Sequence, residues 1–436
     1  MTIPASSTSR FAIAWQRFLS TWDEIWFQRR TTAPLEVTRI GTGLALLLHY
    51  GMASQYLFSL YSNSGWFPRP KVSSAQVTDA SMQSILFYFN ADWQLVVFHA
   101  IFLFCCAALM AGWRTSWVKW VVLIGHVSYA QRSPDVTYGV DSITASILFL
   151  LCLAPVGRMM SLDRARQVRK AKRLDLTARP PVETSAWGFA CTRLMQIQMA
   201  VLFFFSALHK IRETEWWQGD AIWRVFVSND YHSGWMLDLL ASQFWLVNIA
   251  VYGVVIIELA FPFLIWQTKT RPWLLVGAIF VHLLFFVFLN LHYFSFVMII
   301  GHMSFLRHEW LEQLGAWWKR RIGEMEMIYD GRCGFCVRSM AWFLAFDGLD
   351  QIKIRNFRKD PSSAVSDEEM EKALYLVLPD GRKLPGFEAY RHVVARVPGL
   401  WWQAPLFYIP YLSRTVGTPA YNWVAANRMR LSRVFS

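Results

Sequence analysis

Long apolar stretches without charged residues dominate the first three quarters of the chain. Residues Ile40–Tyr61, Gln94–Trp113 and Pro272–Leu306 carry no charged side chain, and Leu239–Thr268 carries only Glu258. A helix needs about 20 apolar residues to cross the hydrocarbon core of a bilayer, so this pattern predicts membrane spans. The run at 272–306 holds 35 residues, enough for two spans, and we expect a break near Asn290–His292.

Three weaker apolar runs complete the predicted membrane region. They are Ser116–Gln131, Ser142–Gly157 and Trp187–His209, the last with Arg193 inside it. All the runs together predict an α-helical polytopic domain of about eight spans. Ahead of them, aromatic residues from Phe11 to Trp26 recur at helical spacing among arginines. That spacing predicts an amphipathic helix lying in the membrane interface.

Composition and charge agree with a membrane protein. The 436 residues are 55% apolar and 17% charged, whereas soluble domains are nearer 45–50% and about 25%. The net charge of +13 could indicate a nucleic-acid partner. With the N-terminus inside, however, 21 lysines and arginines fall on inner segments and 6 on outer ones. This positive-inside pattern accounts for the excess without nucleic acid. It predicts a multi-pass cell-membrane protein with both termini in the cytoplasm.

The pattern changes after Arg321, which divides the chain into predicted domains 1–322 and 323–436. Glu324–Asp330, Gln351–Phe357 and Ala373–Leu378 have the pattern of strands, and Cys333–Phe346 that of an amphipathic helix. Asp380-Gly381 favours a tight hairpin, and helical patterns follow from Phe387. The second predicted domain is therefore a small α/β domain.

The motif Cys333-Gly-Phe-Cys336 stands at the predicted junction of a strand and a helix. The unpaired N–H groups and the dipole of a helix N-terminus favour a thiolate at the first cysteine, and Arg332 adds positive charge. Cys336, one turn deeper, can resolve a mixed disulfide. The alternatives are structural thiols and a zinc site, but zinc needs four ligands and only His392 is nearby. No metal is predicted.

The residues around this motif resemble a known family. Tyr329-Asp330-Gly331-Arg332-Cys333-Gly334-Phe335-Cys336 is similar to the signature of the DCC family of thioredoxin-like thiol-disulfide oxidoreductases. Leu378-Pro379-Asp380-Gly381 and Tyr421 with Ala426-Asn427-Arg428 resemble its downstream features. The resemblance implies a thioredoxin-like fold over about 324–430. It also implies Cys333 as the attacking thiol, Cys336 as the resolving thiol and Asp330 as a proton relay.

A second resemblance concerns the membrane half. Several segments of this half resemble the HTTM domain, whose members are bacterial relatives of vitamin K-dependent γ-carboxylase. They are Lys210 followed by Trp217 and Gly219, the segments Arg132–Pro134, Tyr138–Asp141 and Glu258–Pro262, and the His282 helix. The resemblance spans about residues 10–310. In the carboxylase branch the lysine that matches Lys210 is a catalytic base toward reduced vitamin K, so the resemblance implies this role for Lys210. The alternative is that Lys210 ends a span and extends its ammonium group to the headgroups.

Ionisable residues inside the predicted spans form a further candidate site, since such residues are costly in a bilayer. His49, Arg193, Glu258 and His282 lie at similar predicted depths, which permits an Arg193–Glu258 pair. We expect a buried polar layer that binds a quinone or quinol headgroup or carries protons. A purely structural network is the alternative. Single histidines such as His302 are expected to be satisfied in the core.

These observations predict a multi-pass membrane protein with a cytoplasmic protein-disulfide reductase-like domain. Its partners are the lipid bilayer and a protein or small molecule carrying a thiol or a disulfide. One alternative is a vitamin K-dependent carboxylase- or epoxidase-like enzyme with Lys210 as base. Another is a nonenzymatic membrane protein of the processing or immunity type.

Overall fold

The computed structural model describes residues 7–67, 84–227, 243–360 and 366–434. Residues 239–242 of the predicted span, with Arg69 and Lys71 of the charge count, lie outside these ranges. The chain divides into two compact units. The first comprises residues 1–159 and 183–306, and the second 160–182 and 307–436. This division differs from the predicted boundary at 322/323, because residues 160–182 and 307–322 both group with the carboxy-terminal part.

Helices are the main element of the chain. As far as residue 227 they are α1 (Ser7–Trp26), α2 (Ala33–Ala53), α3 (Leu57–Tyr61), α4 (Asp92–Ala111), α5 (Thr115–Arg132), α6 (Gly139–Leu153), α7 (Leu162–Leu174), α8 (Ala186–Arg212), α9 (Thr214–Gln218) and α10 (Ala221–Val227). Beyond residue 243 the first unit continues with α11 (Phe244–Leu264), α12 (Arg271–Phe288) and α13 (His292–His302). A two-residue ribbon of β1 (Arg30–Thr31) and β2 (Thr184–Ser185) joins the starts of α2 and α8.

Each predicted apolar run contains a helix, and four of these helices are candidate spans. Within the described part of the chain, α4, α8, α11 and α12 are long and apolar enough to cross a membrane. The predicted break in the last run is confirmed, because α12 ends at Phe288 and α13 begins at His292. Asn290 between them has φ of +56°, a left-handed conformation that interrupts a right-handed helix.

A buried ion pair in α2 connects this helix to the ends of α4 and α6 within the first unit. The side chains of Glu36 and Arg39 are both fully buried and 2.8 Å apart. A Glu36 oxygen also accepts the N–H groups of residues 157–159 after α6, and Arg39 donates to the carbonyls of Leu109 and Met110 at the end of α4. The pair therefore satisfies backbone groups that helix ends and loops would otherwise leave buried without partners.

The second unit contains a four-stranded mixed sheet with the order β4-β3-β5-β6. Its strands are β3 (Met325–Tyr329), β4 (Ile352–Asn356), β5 (Tyr375–Val377) and β6 (Lys383–Pro385). Its helices after residue 306 are α14 (His308–Ile322), α15 (Gly334–Phe346), α16 (Asp367–Lys372), α17 (Gly386–Arg396), α18 (Ala404–Tyr408), α19 (Pro410–Leu412) and α20 (Thr418–Val434). The predicted strands, the CxxC helix and the hairpin after Val377 are confirmed.

Sheet pairing explains where the CxxC motif lies. β3 and β4 are parallel, and α15 makes the crossover between them, while β5 runs antiparallel to β3. Met325 and Met327 on one face of β3 are fully buried under α15 and α17. α15 therefore starts at the carboxyl end of the central strand.

Helix α7 belongs to this unit and packs against α15. The sequence indicated only a basic loop there, because most residues of 162–174 are charged. Ser161 begins the helix by accepting the N–H of Arg164. Leu176, just beyond the helix, packs against the core of the α/β unit, and Arg179 forms an ion pair with Asp350.

Candidate functional site

The turn between β3 and α15 places Cys333 at the start of the helix. The chain makes this turn next to Asn356, whose side-chain oxygen accepts the N–H of Gly331. A Cβ atom at residue 331 would lie 2.1 Å from the Asn356 amide nitrogen, so glycine is required by the close approach. Cys333 then serves as the N-cap residue: its Sγ accepts the N–H of Cys336 at 3.3 Å.

The two cysteines are both free thiols, and their surroundings shift their acidities in opposite directions. The hydrogen bond from the Cys336 thiol lowers the pKa of Cys333 to about 6, with help from the Cys336 N–H and the charge of Arg428 and against the effect of burial. The same hydrogen bond and burial raise the pKa of Cys336 far above the ordinary value. Cys333 is therefore largely a thiolate at pH 7, and Cys336 holds the proton.

Asp330 adds a buried carboxylate to the site. Burial alone would raise the pKa of Asp330, but hydrogen bonds from Arg358 and from the Arg332 N–H, with the charge of Arg358, hold it below the ordinary value. Arg358 also pairs with Glu371 at 2.9 Å, and the backbone carbonyl of Glu371 accepts a bond from Arg428. The carboxylate is thus ionised and held in place near the thiols.

A small cavity of about 40 Å³ lies beside Cys336. Its walls come from the end of β3, α15, the segment before β5, α17 and α20; they include Tyr329, Asp330, Phe335, Cys336, Ala373, Leu374, Tyr390, Tyr421 and Arg428. Cys336 is half-buried, whereas Cys333 is fully buried with 0% exposure. The structure therefore brings together the three residues predicted from the motif. Arg358 lacks a signal of its own in the sequence, because it lies in a turn far from the motif along the chain.

The first unit, which holds the four candidate spans and is called the membrane unit from here on, contains a second polar cluster around Lys210. The Lys210 ammonium group lies 2.8 and 2.9 Å from the two carboxylate oxygens of Glu258 and 2.6 Å from the Ser206 hydroxyl. It also lies 5.2 Å from the centroid of the Trp216 ring. Lys210 and Glu258 are largely buried, with side chains 18% and 13% exposed. The lysine is therefore paired with a carboxylate.

The predicted Arg193–Glu258 pair is wrong. Arg193 donates to the carbonyl of Ile25 and to the side chain of Gln196, and it lies over the ring of Phe189. Arg193 and Glu258 do not share a depth either, because Glu258 pairs with Lys210, which follows Arg193 by 17 residues in α8, about 25 Å along the helix axis. Glu258 in α11 lies beside the end of α8, where it meets Lys210.

His282 and His49 lie in different surroundings. His282 is buried, its ring is 5.5 Å from that of His302, and Lys210 is within electrostatic reach. Among the described residues, His282 Nδ1 and His302 Nε2 have no hydrogen-bond partner. His302 is thus only partly satisfied, contrary to the expectation from sequence. His49 stacks on Tyr293 at 3.9 Å and, within the described ranges, makes no hydrogen bond, ion pair or ring contact with Lys210, Glu258 or His282.

Cys333 and Cys336 form a close CxxC pair at a strand–helix junction, with one thiol ionised and the other protonated. The family comparisons agree. The family model of the HTTM domain matches residues 27–310, more than half of the chain, so the protein belongs to the HTTM family. In this chain the HTTM domain is followed by a DCC1-like thiol-disulfide oxidoreductase domain, whose family model matches residues 327–434. No curated protein and no solved structure matches the chain.

Proposed function

We propose that the carboxy-terminal domain reduces disulfides of a protein or a small molecule by dithiol exchange at Cys333 and Cys336. The observation that carries this proposal is the Cys333 sulfur at the start of α15, where it accepts the N–H of Cys336 and has a pKa of about 6. A thiolate is the nucleophile in disulfide exchange, and this one is present at neutral pH.

The reaction has two exchange steps. The Cys333 thiolate attacks one sulfur of the substrate disulfide, which forms a mixed disulfide and releases the first substrate thiolate. Cys336 loses its proton and attacks Cys333 Sγ, which forms the Cys333–Cys336 disulfide and releases the second thiolate. The substrate gains two electrons and the dithiol loses two. A thiol reductant of the cytoplasm returns the pair to its reduced form.

Asp330 is suited to receive the proton of Cys336. Both residues line the same cavity, and Asp330 is kept ionised by Arg358. Once Cys333 is bound in a mixed disulfide, its sulfur no longer accepts the hydrogen bond that holds the proton on Cys336. We therefore assign Asp330 the role of proton relay in the second step.

The proposed location of the domain is the cytoplasm. Eight helices coincide with the predicted spans, and we propose that α2, α5, α6 and α13 cross the membrane together with the four candidate spans. An even number of crossings puts both ends of the chain on one side, and the lysine and arginine excess puts that side inside. The reducing cytoplasm then supplies electrons for disulfide reduction.

The test of the redox function uses the full chain in detergent, reduced beforehand and freed of reductant, with a small aromatic disulfide as substrate, so that the dithiol alone supplies the two electrons of a single turnover. Cys333→Ser should abolish reduction. Cys336→Ser should allow the first attack, so that a mixed disulfide on Cys333 accumulates and is detected by mass spectrometry. Cys105→Ser, in the membrane unit, is the matched control and should leave the rate unchanged. Reduction that survives Cys333→Ser would contradict the proposal.

A second candidate function concerns the membrane unit. Lys210 and Glu258 form a largely buried ion pair, and His282 is near enough to interact electrostatically with Lys210. The Nδ1 atom of His282 has no partner among the described residues and suits a ligand oxygen. We propose that these residues hold the polar headgroup of a quinone or quinol, which would supply two-electron chemistry at that place.

Bound quinone and quinol-dependent turnover distinguish the remaining alternatives. Glu258→Gln should lower the amount of quinone that copurifies with the protein and leave disulfide reduction at Cys333 unchanged. A carboxylase- or epoxidase-like enzyme instead predicts quinol-dependent turnover that Lys210→Ala abolishes and Cys333→Ser does not. If all three substitutions leave ligand content and turnover unchanged, the nonenzymatic alternative is favoured and the polar group is structural.

A further inference from the structure

The exposure of the two thiols is the reverse of what their proposed roles require. Cys333, the nucleophile, is fully buried, whereas Cys336, which holds the proton, lines the cavity and is half-buried. A thiolate attacks a disulfide by direct contact between sulfur atoms. A substrate therefore cannot reach Cys333 in the arrangement that the structure describes, and something must move first.

The carboxy-terminal helix α20 passes directly beside Cys333. Its Ser432 hydroxyl accepts the N–H of Gly334, the residue directly after Cys333, at 2.8 Å. A Cβ atom on Gly334 would lie 3.2 Å from that hydroxyl oxygen, so the two helices approach closely. Arg428 is one turn earlier in α20 and lines the cavity with Asp330 and Cys336. One face of α20 is thus turned toward the dithiol.

Helix α20 packs against aromatic neighbours at its beginning, and its later part is held by hydrogen bonds of Arg428 and Ser432. Tyr421, in the first turn, lies against Gly386, where a Cβ atom would be 2.8 Å from the ring, and its ring is 5.7 Å from that of Tyr390. A π-helical turn at Ser413–Gly417 precedes the helix, and such turns are frequent at functional sites. Near the other end, the contact with α15 is a neutral hydrogen bond, that between Ser432 and Gly334.

We propose that α20 is a movable cover of the reactive sulfur and that the Ser432–Gly334 hydrogen bond is its latch. The inference rests on the proposed redox function, since it concerns access to the same sulfur. When the end of α20 withdraws, Cys333 becomes accessible. The N–H of Gly334 then loses Ser432 as its acceptor and is free to bind an acceptor group of the disulfide substrate. Closure protects the thiolate from oxidation between turnovers.

Alkylation of Cys333 measures this access directly. The reduced full chain in detergent is treated with iodoacetamide at pH 8, where the thiolate fraction is saturated, and the peptide carrying Cys333 is followed by mass spectrometry. Ser432→Ala removes the latch. A neutral hydrogen bond corresponds to about a two- to tenfold change in an equilibrium, so labelling should accelerate by that factor. Ser413→Ala, a serine upstream of α20, is the matched control and should label at the original rate.

Two further measurements keep the proposal testable if Ser432→Ala fails to fold: one on a truncated variant and one on the unaltered protein. Truncation after Arg430 removes the end of α20 and should accelerate labelling at least as much as Ser432→Ala. In the unaltered protein, Cys333 should react more slowly than a free thiolate of equal pKa. Labelling at the rate of a free thiolate, or variants that fold and label at the original rate, would overturn the cover.

Failure of the cover and failure of the redox function give different results. Alkylation reports only whether reagent reaches the sulfur, so it needs no disulfide exchange. If Ser432→Ala accelerates labelling and the protein has no disulfide reductase activity, the proposal of a movable cover is supported and the proposed redox function is contradicted. Unchanged labelling in an active protein would do the opposite.

Discussion

Two cysteines of one motif have acquired opposite chemical states because of where each stands relative to α15. Cys333 precedes the helix and accepts an N–H of its first turn, whereas Cys336 lies within the helix and directs its thiol at Cys333. The negative charge is stabilised where the helix N-terminus and Arg428 are both near. The position within the element, more than the type of residue, sets the acidity.

The reactivity of Cys333 should therefore follow a low pKa. Its alkylation rate should be near its plateau at pH 7 and fall about tenfold at pH 5, because protonation through a pKa of about 6 removes the thiolate. Cys336→Ala removes the main hydrogen-bond donor, so the midpoint should move to higher pH. The measurement is iodoacetamide labelling from pH 4.5 to pH 9. A midpoint near 8.5 in the unaltered protein would show that the thiolate is not stabilised.

The same stabilisation should affect the redox potential of the dithiol. A stabilised thiolate favours the reduced form, so the Cys333–Cys336 couple should be more oxidising than thioredoxin at about −270 mV. Equilibration of the full chain with glutathione buffers, followed by mass spectrometry of the two cysteines, measures the potential. A value below about −270 mV would contradict this prediction. A couple above it stays reduced in the cytoplasm and can reduce disulfides that are more oxidising still.

At the scale of the elements, the Glu36–Arg39 pair connects α2 to the ends of two other helices. The Glu36 carboxylate accepts three consecutive N–H groups after α6, and the Arg39 guanidinium donates to two carbonyls at the end of α4. Both side chains are fully buried, so neither can turn to water if its partner is lost.

Glu36→Gln should therefore destabilise the membrane unit strongly. It leaves the Arg39 charge buried without a counter-charge, which typically costs about 3–5 kcal/mol of unfolding free energy. Glu183→Gln is the control, because Glu183 pairs with Arg158 while both side chains are largely exposed, and such pairs contribute about 0–1 kcal/mol. Thermal unfolding in detergent compares the two. Equal transition temperatures for both variants would show that the buried pair contributes no more than an exposed one.

The sequence predicts elements well where one physical signal dominates. Apolar runs located the helices of the membrane unit, and alternation with Asp380-Gly381 located the strands and the hairpin. The Cys333–Cys336 site was predictable because its chemistry is contained in four consecutive residues. The same reasoning failed for α7, whose basic residues suggest solvated loop, although α15 supplies the surface that makes it a helix. It also failed for Glu258, since apolar helices of similar composition leave the choice between Arg193 and Lys210 to packing.

At the scale of the whole molecule, orientation in the bilayer decides which redox environment the dithiol meets. The distribution of lysine and arginine predicts both termini inside. A reporter enzyme that is active only outside the cytoplasm, fused after Ser436, should be inactive, and a cytoplasmic reporter at the same place should be active. A fusion at residue 135, in a predicted outer loop, is the control and should give the opposite result. Outside activity at Ser436 would reassign the dithiol to an oxidising compartment.

Because α7 belongs to the second unit, this unit cannot be produced intact as a single carboxy-terminal fragment. The chain passes between the two units three times, at 159/160, 182/183 and 306/307, so one cut in the polypeptide does not separate them. A recombinant fragment of residues 323–436 would lack both α7 and Leu176 and would expose the side of α15 that they cover. We expect such a fragment to aggregate or to melt at a lower temperature, whereas supplying 160–182 as a synthetic peptide should partly restore it. The reactive thiols therefore lie in one contiguous motif, but the folded unit that holds this motif is built from two separate segments of the chain, 160–182 and 307–436.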